Sequence, residues 1–365
     1  MSHYFDAVES NKKELDWEMA RRRAFHTRSK ALEHLDKHLI DFETHFTRNQ
    51  GKLLWAPSIE NAQNELKQAC NGFKTFSAPH RILEEIKLQN HPEWNFLENG
   101  ETPAFGENNC AVLFPDFYIS ENGALLLHHT NPALDSLLAR CNKIIYILGI
   151  EQVCPNMHEA ENLINLLAKQ GDGKKDFPAV HISLGNRFGR ESMGQVESVV
   201  MLIDNGRSTI LGEIPQRQAL YCIHCGACSK YSNFADETEA TKSVIDIIKA
   251  PFIQGPKHFE TNFKLPLSGL ATSNCPVAID LKGLVLENRR LAVEQKMEGR
   301  SDALAWKAWK TAMMSRKWLN KSAGMKSFTL KSFFKKHWGE ARDFPKPVDQ
   351  SFNEWWVQSR GKSEN

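Results

Sequence analysis

The chain has 365 residues, with 46 Lys or Arg against 44 Asp or Glu, 41% apolar and 25% charged residues, and 8 cysteines. These proportions exclude disordered, collagen-like and repeat-fibre classes and predict a globular chain of roughly two domains. No apolar run reaches the roughly 18–20 residues that span a bilayer and the start is polar, so the expectation is a cytoplasmic protein without a transmembrane segment.

In chain order, Glu9 to Asn49 reads as one long helix, because Phe25, Leu32, Leu35, Leu39 and Phe42 recur at helical spacing between charged residues. A short apolar run, Leu53 to Ala56, precedes a helix over Ile59 to Cys70 with Ser58 as its N-cap. Two apolar runs, Ala111 to Ile119 and Ala124 to Leu127, meet at Asn122-Gly123, a dipeptide that tolerates positive φ and so predicts a hairpin. Lys143 to Ile150 is rich in β-branched residues and reads as a buried central strand. A helix over His158 to Lys169 and strands over Ala179 to Leu184 and Val196 to Ile203 follow. This alternation predicts an α/β fold with a sheet covered on both faces.

After Asp204-Asn205-Gly206 the strand pattern stops. Helices are expected over Glu237 to Lys249, Leu281 to Glu298 and Asp302 to Asn320. Residues 301–365 carry 13 Lys or Arg against 6 Asp or Glu and six of the nine tryptophans, on an otherwise mildly acidic chain. Ala305 to Leu319 places Trp306, Trp309, Met313 and Lys317 near one helical face. Such a face suits docking on a partner or packing back on this chain better than peripheral contact with a membrane. Near-neutral overall charge and the lack of a groove-reading motif argue against nucleic acid.

The chemistry concentrates in the cysteines. Cys222-Ile-His-Cys225-Gly-Ala-Cys228 is a C-x2-C-x2-C run, expected by chance on the order of 0.004 times in a chain with this cysteine content. Three thiolates at that spacing wrap three corners of an iron-sulfur cube, whereas structural zinc more often uses two separated pairs. In ferredoxins the run continues to a fourth cysteine before proline, which ligates the other cluster of a two-cluster domain. Here the fourth position is Ser232, but Cys275-Pro276 looks like the end of a second run whose earlier positions are Leu265, Ser268 and Ala271. Crossed ligation leaves one complete set, Cys222, Cys225, Cys228 and Cys275, and removes all four ligands of the other. One 4Fe-4S cluster is therefore expected, with zinc on the same thiolates or an empty remnant as rival readings. Cys70, Cys110, Cys141 and Cys154 stand singly and are expected to pack as small apolar side chains.

At this point the chain resembles the lactate-utilisation iron-sulfur proteins, which join a LUD domain to a ferredoxin-type segment. The resemblance is carried by Phe46-Thr47-Arg48-Asn49, Gly51-Lys52-Leu53-Leu54-Trp55-Ala56, Ile119 to Leu127, Gly149-Ile150-Glu151-Gln152-Val153-Cys154-Pro155 and Leu202-Ile203-Asp204-Asn205-Gly206-Arg207. It resumes after the cysteines at Arg342-Asp343-Phe344-Pro345. It implies an α/β fold like that of the sugar-phosphate isomerase and CoA-transferase superfamily over residues 1–215, a helical ferredoxin-like segment over 216–295 and a basic helical tail over 296–365. It also implies a non-autonomous subunit of a cytoplasmic complex that oxidises L-lactate to pyruvate with cysteine-rich and LUD-type partner subunits. The family usually carries two clusters where this chain keeps the ligands of one.

Two rival features are weighed beside the cysteines. Ser120-Glu121-Asn122-Gly123 resembles the glutamate motif of one CoA-transferase class, which would make Glu121 a nucleophile for acyl transfer and the metal purely structural; a ligand contact at Glu121 is a second reading, and a plain turn or inherited scaffold, which fits better, explains the same residues. Arg187 and Arg190, in the glycine-rich stretch Gly185 to Gly194, could seat a phosphate or carboxylate, although a solvated loop fits better. His128-His129 closes a strand without a partner at ligand spacing and reads as an edge pair. A third functional class is a non-catalytic assembly protein whose cluster only staples the cysteine segment.

Overall fold

The computed structural model describes residues 2–97, 104–129, 132–170, 179–186, 196–232, 243–295 and 352–361, and six positions between 304 and 314. The chain divides into two compact units, Met1–Gln295 and Lys296–Asn365. In the first, the expected single N-terminal helix is two: α1 (Ser2–Glu33) and α2 (Leu35–Arg48), broken at His34, where φ is −119° and ψ 35°. The apolar stripe continues across the break, with Leu32, Leu35, Phe42 and Phe46 buried. The short apolar run forms β1 (Lys52–Ala56), α3 (Ile59–Cys70) follows as expected, and the Ser58 hydroxyl accepts from the Asn61 amide as N-cap.

β2 (Lys74–Ser77), α4 (Arg81–Glu85), β3 (Trp94–Phe96) and β4 (Asn109–Leu113) lead into β5 (Phe117–Ile119) and β6 (Leu125–His129). The apolar run expected to form one hairpin arm splits at Pro115-Asp116 between β4 and β5. Proline has no N–H for a ladder, and the Asp116 carboxylate accepts both the His128 amide and its ring Nδ1, at 2.8 and 2.7 Å, which turns the chain out of the first sheet. The hairpin itself joins β5 and β6. Gly123 sits there at φ +73°, and an added Cβ would strike the backbone of His45 and Phe46, so only glycine lets α2 lie on the turn.

After α5 (Pro132–Arg140) come β7 (Lys143–Gly149), β8 (Val153–Cys154), α6 (Met157–Gln170), β9 (Ala179–Ser183) and β10 (Glu197–Ile203). Six strands form a wholly parallel sheet in the order β1-β10-β7-β4-β2-β3, with β7 inside it as expected, and a four-stranded sheet has the order β8-β5-β6-β9. Cys110, Val112, Ile145, Ile147, Val199, Met201 and Ile203 face one side of the large sheet. Ala111, Leu113, Ile144, Tyr146, Leu148, Val200 and Leu202 face the other. Both faces are apolar because both are covered, and the result is a mixed α/β fold. β6 has neighbours on both sides, so His128-His129 is not an edge pair.

The first unit continues through α7 (Arg207–Gly212), a 3₁₀ turn over Gln216–Tyr221, and a second over Ser229–Tyr231. It closes with α8 (Val244–Ile253), α9 (Phe259–Lys264), α10 (Leu270–Ser273) and α11 (Leu281–Glu294). The Ser243 hydroxyl caps α8 and the Asp280 carboxylate caps α11. Residues 237–242 of the helix expected before Lys249 lie outside the described residues. In the second unit, α12 (Phe352–Gly361) groups the rings of Phe352, Trp355 and Trp356, and Arg360 lies 5.1 Å over Trp356. Trp309 is exposed; Trp306, Met313 and Lys317 lie outside the described residues.

Candidate metal centre

The 3₁₀ turn ending at Tyr221 is buried through Ala219, Leu220 and Tyr221, which anchors the chain immediately before Cys222. From there His224 at φ +60° and Gly226 at φ +73° alternate with residues of negative φ and coil the loop about its cysteines. Such alternation turns successive N–H groups inward, toward an anion. The His224 amide donates to the Cys222 sulfur at 3.3 Å, and the amides of Ala227 and Ile245 donate to Cys225 and Cys228.

Cys275 comes from the α10–α11 connection and receives the amides of Ile279 and Val277, in a turn made by Ala278 at φ +52°. All four thiols line one cavity of about 430 Å³. Cys275 is buried and the other three are partly buried. Desolvation pushes the thiol of Cys222 up to about 11 and that of Cys225 up to about 12, and neighbouring cysteines add to both.

Two arginines of α1, seven residues apart and so on one face, tie the two cysteine-bearing segments to the core. Arg21 donates to the carbonyls of Cys275 (2.8 Å) and Thr272 (3.2 Å). Arg28, fully buried, donates to the carbonyls of Tyr221 (3.2 Å) and Leu220 (2.9 Å) and to those of Glu151 and Val153 beside β8. A lysine keeps the charge but, with one ammonium, cannot span four carbonyls. Arg28→Lys should therefore cost about 2 kcal/mol in urea unfolding, since buried carbonyls lose their donors; an unchanged midpoint would show that the carbonyls find other partners.

The cavity wall is charged. Lys249, only 3% exposed, is the strongest cationic influence on Cys222, and Arg81 stands in the same wall. Behind them Arg207 bridges Glu151 through Nε at 2.6 Å and grips both oxygens of Glu85 at 2.7 and 2.9 Å. Burial alone would raise the Glu85 carboxyl, but the Arg207 charge and hydrogen bonds from Arg207 and Asn205 bring it down to about 2. Four thiols with inward-facing amides and a buried cation in the wall fit an anionic, thiolate-ligated group. Among the described residues, no three or more His, Cys, Asp or Glu side chains stand at the spacing of a single-ion site.

Three of the four positions of the incomplete second set are packed against protein. Ser232 is buried and donates to the Ser229 carbonyl, Leu265 is buried, and Ala271 packs against the core; Ser268 is exposed. Glu121 is exposed at the hairpin, with its amide on the Pro155 carbonyl, and does not line the cysteine cavity. Arg187 and Arg190 lie outside the described residues. Cys70, Cys110, Cys141 and Cys154 are all buried away from the cavity, and burial pushes the Cys154 thiol up to about 12. Residue patterns missed Arg21, Arg28, Lys249 and the Arg207 network. The first two could have been found as basic residues on the same seven-residue spacing as Leu35 and Phe42.

Residues 39–200 match the family model of the LUD domain. Among curated proteins, lactate utilization protein B of Shouchella clausii is 28% identical over 66% of this chain and 54% of its own length. That of Oceanobacillus iheyensis is 28% identical over 68% and 56%. The chain thus spans about half the length of these relatives, while the Bacillus cytotoxicus protein of the same name, 23% identical, aligns over 94% of this chain and 89% of its own. A crystal structure of a DUF162 family protein from Deinococcus radiodurans is 13% identical and covers 47% of this chain and 98% of that one, with a TM-score of 0.35. No helix among the described residues is long and apolar enough to cross a membrane.

Proposed function

Because the chain belongs to the LUD-domain family of lactate-utilisation proteins, we propose that it is an electron-transfer subunit of a cytoplasmic complex oxidising L-lactate or a similar 2-hydroxy acid. In this reading Cys222, Cys225, Cys228 and Cys275 hold one 4Fe-4S cluster, and cysteine-rich and LUD-type subunits are the partners. The observation that carries it is the convergence of these four thiols, from two separate segments, on one cavity.

When bound there, such a cluster supplies one-electron redox chemistry. Amides of His224, Ala227, Ile245 and Ile279 offset thiolate charge, Lys249 adds a buried positive charge, and Arg21 and Arg28 hold the two loops in register. Oxidising a 2-hydroxy acid to a 2-oxo acid releases two electrons and two protons, so a partner must divide the electron pair and this chain alone does not complete the reaction. Anaerobically purified protein should be brown, with about four irons and matching acid-labile sulfide per chain. Stoichiometric zinc without iron would overturn the reading.

A further inference from the structure

A second cavity, about 460 Å³, lies against the cysteine loop on the side away from the sulfurs. Its floor follows from the topology. From β2 the chain runs outward to β3, whereas from β4 it runs the other way through β7 to β10, so the direction of winding reverses between β2 and β4. In open parallel sheets ligands bind outside the carboxyl ends of the strands at such a reversal. Residues 78–81, which follow β2, and 114–116, which follow β4, line the cavity, and Ile223 and His224 of the cysteine loop close it.

Two groups there, Arg81 and His224, keep polar capacity for a ligand. Arg81, which lines both cavities, has one ion pair among the described residues, with Asp246 at 3.9 Å. His224 Nε2 is shielded from solvent and has no hydrogen-bond partner among the described residues. His80 stacks on Phe114 at 4.1 Å between ring centres. The Asp116–His128 pair at 2.7 Å forms another wall, and Gln152 fixes the turn beneath it by donating to the carbonyls of Pro115 and Asp116. Leu127 and Leu134 make the remaining surface apolar. A guanidinium with one long ion pair, an imidazole nitrogen without a partner among the described residues and an apolar wall suit a short organic acid carrying a second polar group.

We propose that this cavity binds a small 2-hydroxy or 2-oxo monocarboxylate, its carboxylate on Arg81 and its second oxygen facing His80 and His224. The cavity stands on its own residues; that its acid is the one oxidised by the complex rests on the functional reading above. The shared wall of Arg81 and His224 would then place the acid next to the metal centre.

The test is calorimetric titration of the full-length, anaerobically purified protein with L-lactate, pyruvate, propionate and inorganic phosphate, with iron measured on the same samples. Saturable binding of L-lactate or pyruvate is expected. It should be weakened at least tenfold by Arg81→Gln and abolished by Leu134→Trp, which fills the apolar wall, and propionate should bind less tightly. Binding of pyruvate but not L-lactate supports the pocket and overturns the lactate reading, whereas propionate bound as tightly as either overturns the proposal. Acid binding by protein that carries zinc instead of iron overturns only the cluster. No saturable binding of any acid, equal binding in both variants, or a preference for phosphate overturns the proposal.

Discussion

Arg207→Met should lower the stability of the protein by about 3–5 kcal/mol at pH 7, because it strips the counter-charge from two buried carboxylates at once. Arg207 is 1% exposed, as is Glu151, and its guanidinium holds Glu151 through one bond and Glu85 through two. The second oxygen of Glu151 has no hydrogen-bond partner among the described residues, so without Arg207 that carboxylate has nothing to replace its hydration. Gly149 is part of the same arrangement: a Cβ there would collide with the Glu151 carboxylate and Arg207.

The loss should depend on pH, and its sign follows from Glu85. Its carboxyl ionises at about 2 in the folded chain against an ordinary 4.5, so the folded state favours the carboxylate. The resulting stability, about 3 kcal/mol by linkage, is fully present above the unfolded value and is lost as pH falls from about 5 to 2. Glu151 is shifted in the same direction by Arg207. Urea unfolding should therefore show a deficit in the variant that is large at pH 7 and shrinks toward pH 3, where both carboxyls take up protons. Arg207→Lys should lose less, since it keeps the charge and gives up only the two-pronged grip. A deficit below about 1 kcal/mol, or one independent of pH, would mean that solvent reaches the pair.

The same residues show what could be read from the sequence and what could not. That Cys222, Cys225 and Cys228 face one cavity was legible because a short loop is local: its spacing is its geometry. Cys275 was legible only through the second, degenerate run, because nothing in its neighbours states that the fold returns there. Glu151 and Arg207 sat inside stretches that carried the family resemblance, Gly149 to Pro155 and Leu202 to Arg207, yet their pairing was invisible because it depends on the adjacency of β7 and β10. Arg21 and Arg28 were hidden for a different reason. A charged residue on a helix normally marks the solvated face, and here two of them occupy the apolar stripe because backbone carbonyls, not water, receive them. The break at His34 has no side-chain cap to announce it, and the split at Pro115-Asp116 was obscured by the apolar residues on either side. The cavity at the carboxyl ends of β2 and β4 could not be foreseen without the strand order.

Cys275→Ala should bring iron per chain from about four to well below one after anaerobic reconstitution, while Cys154→Ala leaves it unchanged. Both cysteines are buried, both thiols are raised by burial, and each precedes a proline or a proline turn, so composition and environment do not separate them. Position does. Cys154 faces the carbonyl of Asn156 in the core, whereas Cys275 borders the cavity with the three loop cysteines and takes amides from Val277 and Ile279. Three ligands from one loop can be offered by a chain whose second segment is displaced, and only the fourth requires the α10–α11 connection to be docked. Arg21 docks it, since its side chain holds the Cys275 and Thr272 carbonyls. Arg21→Gln should therefore lower iron loading with every cysteine intact, and its loss should fall between those of the two cysteine variants. Full loading of Cys275→Ala would place the fourth ligand elsewhere and remove the reason for treating the two degenerate runs as one site.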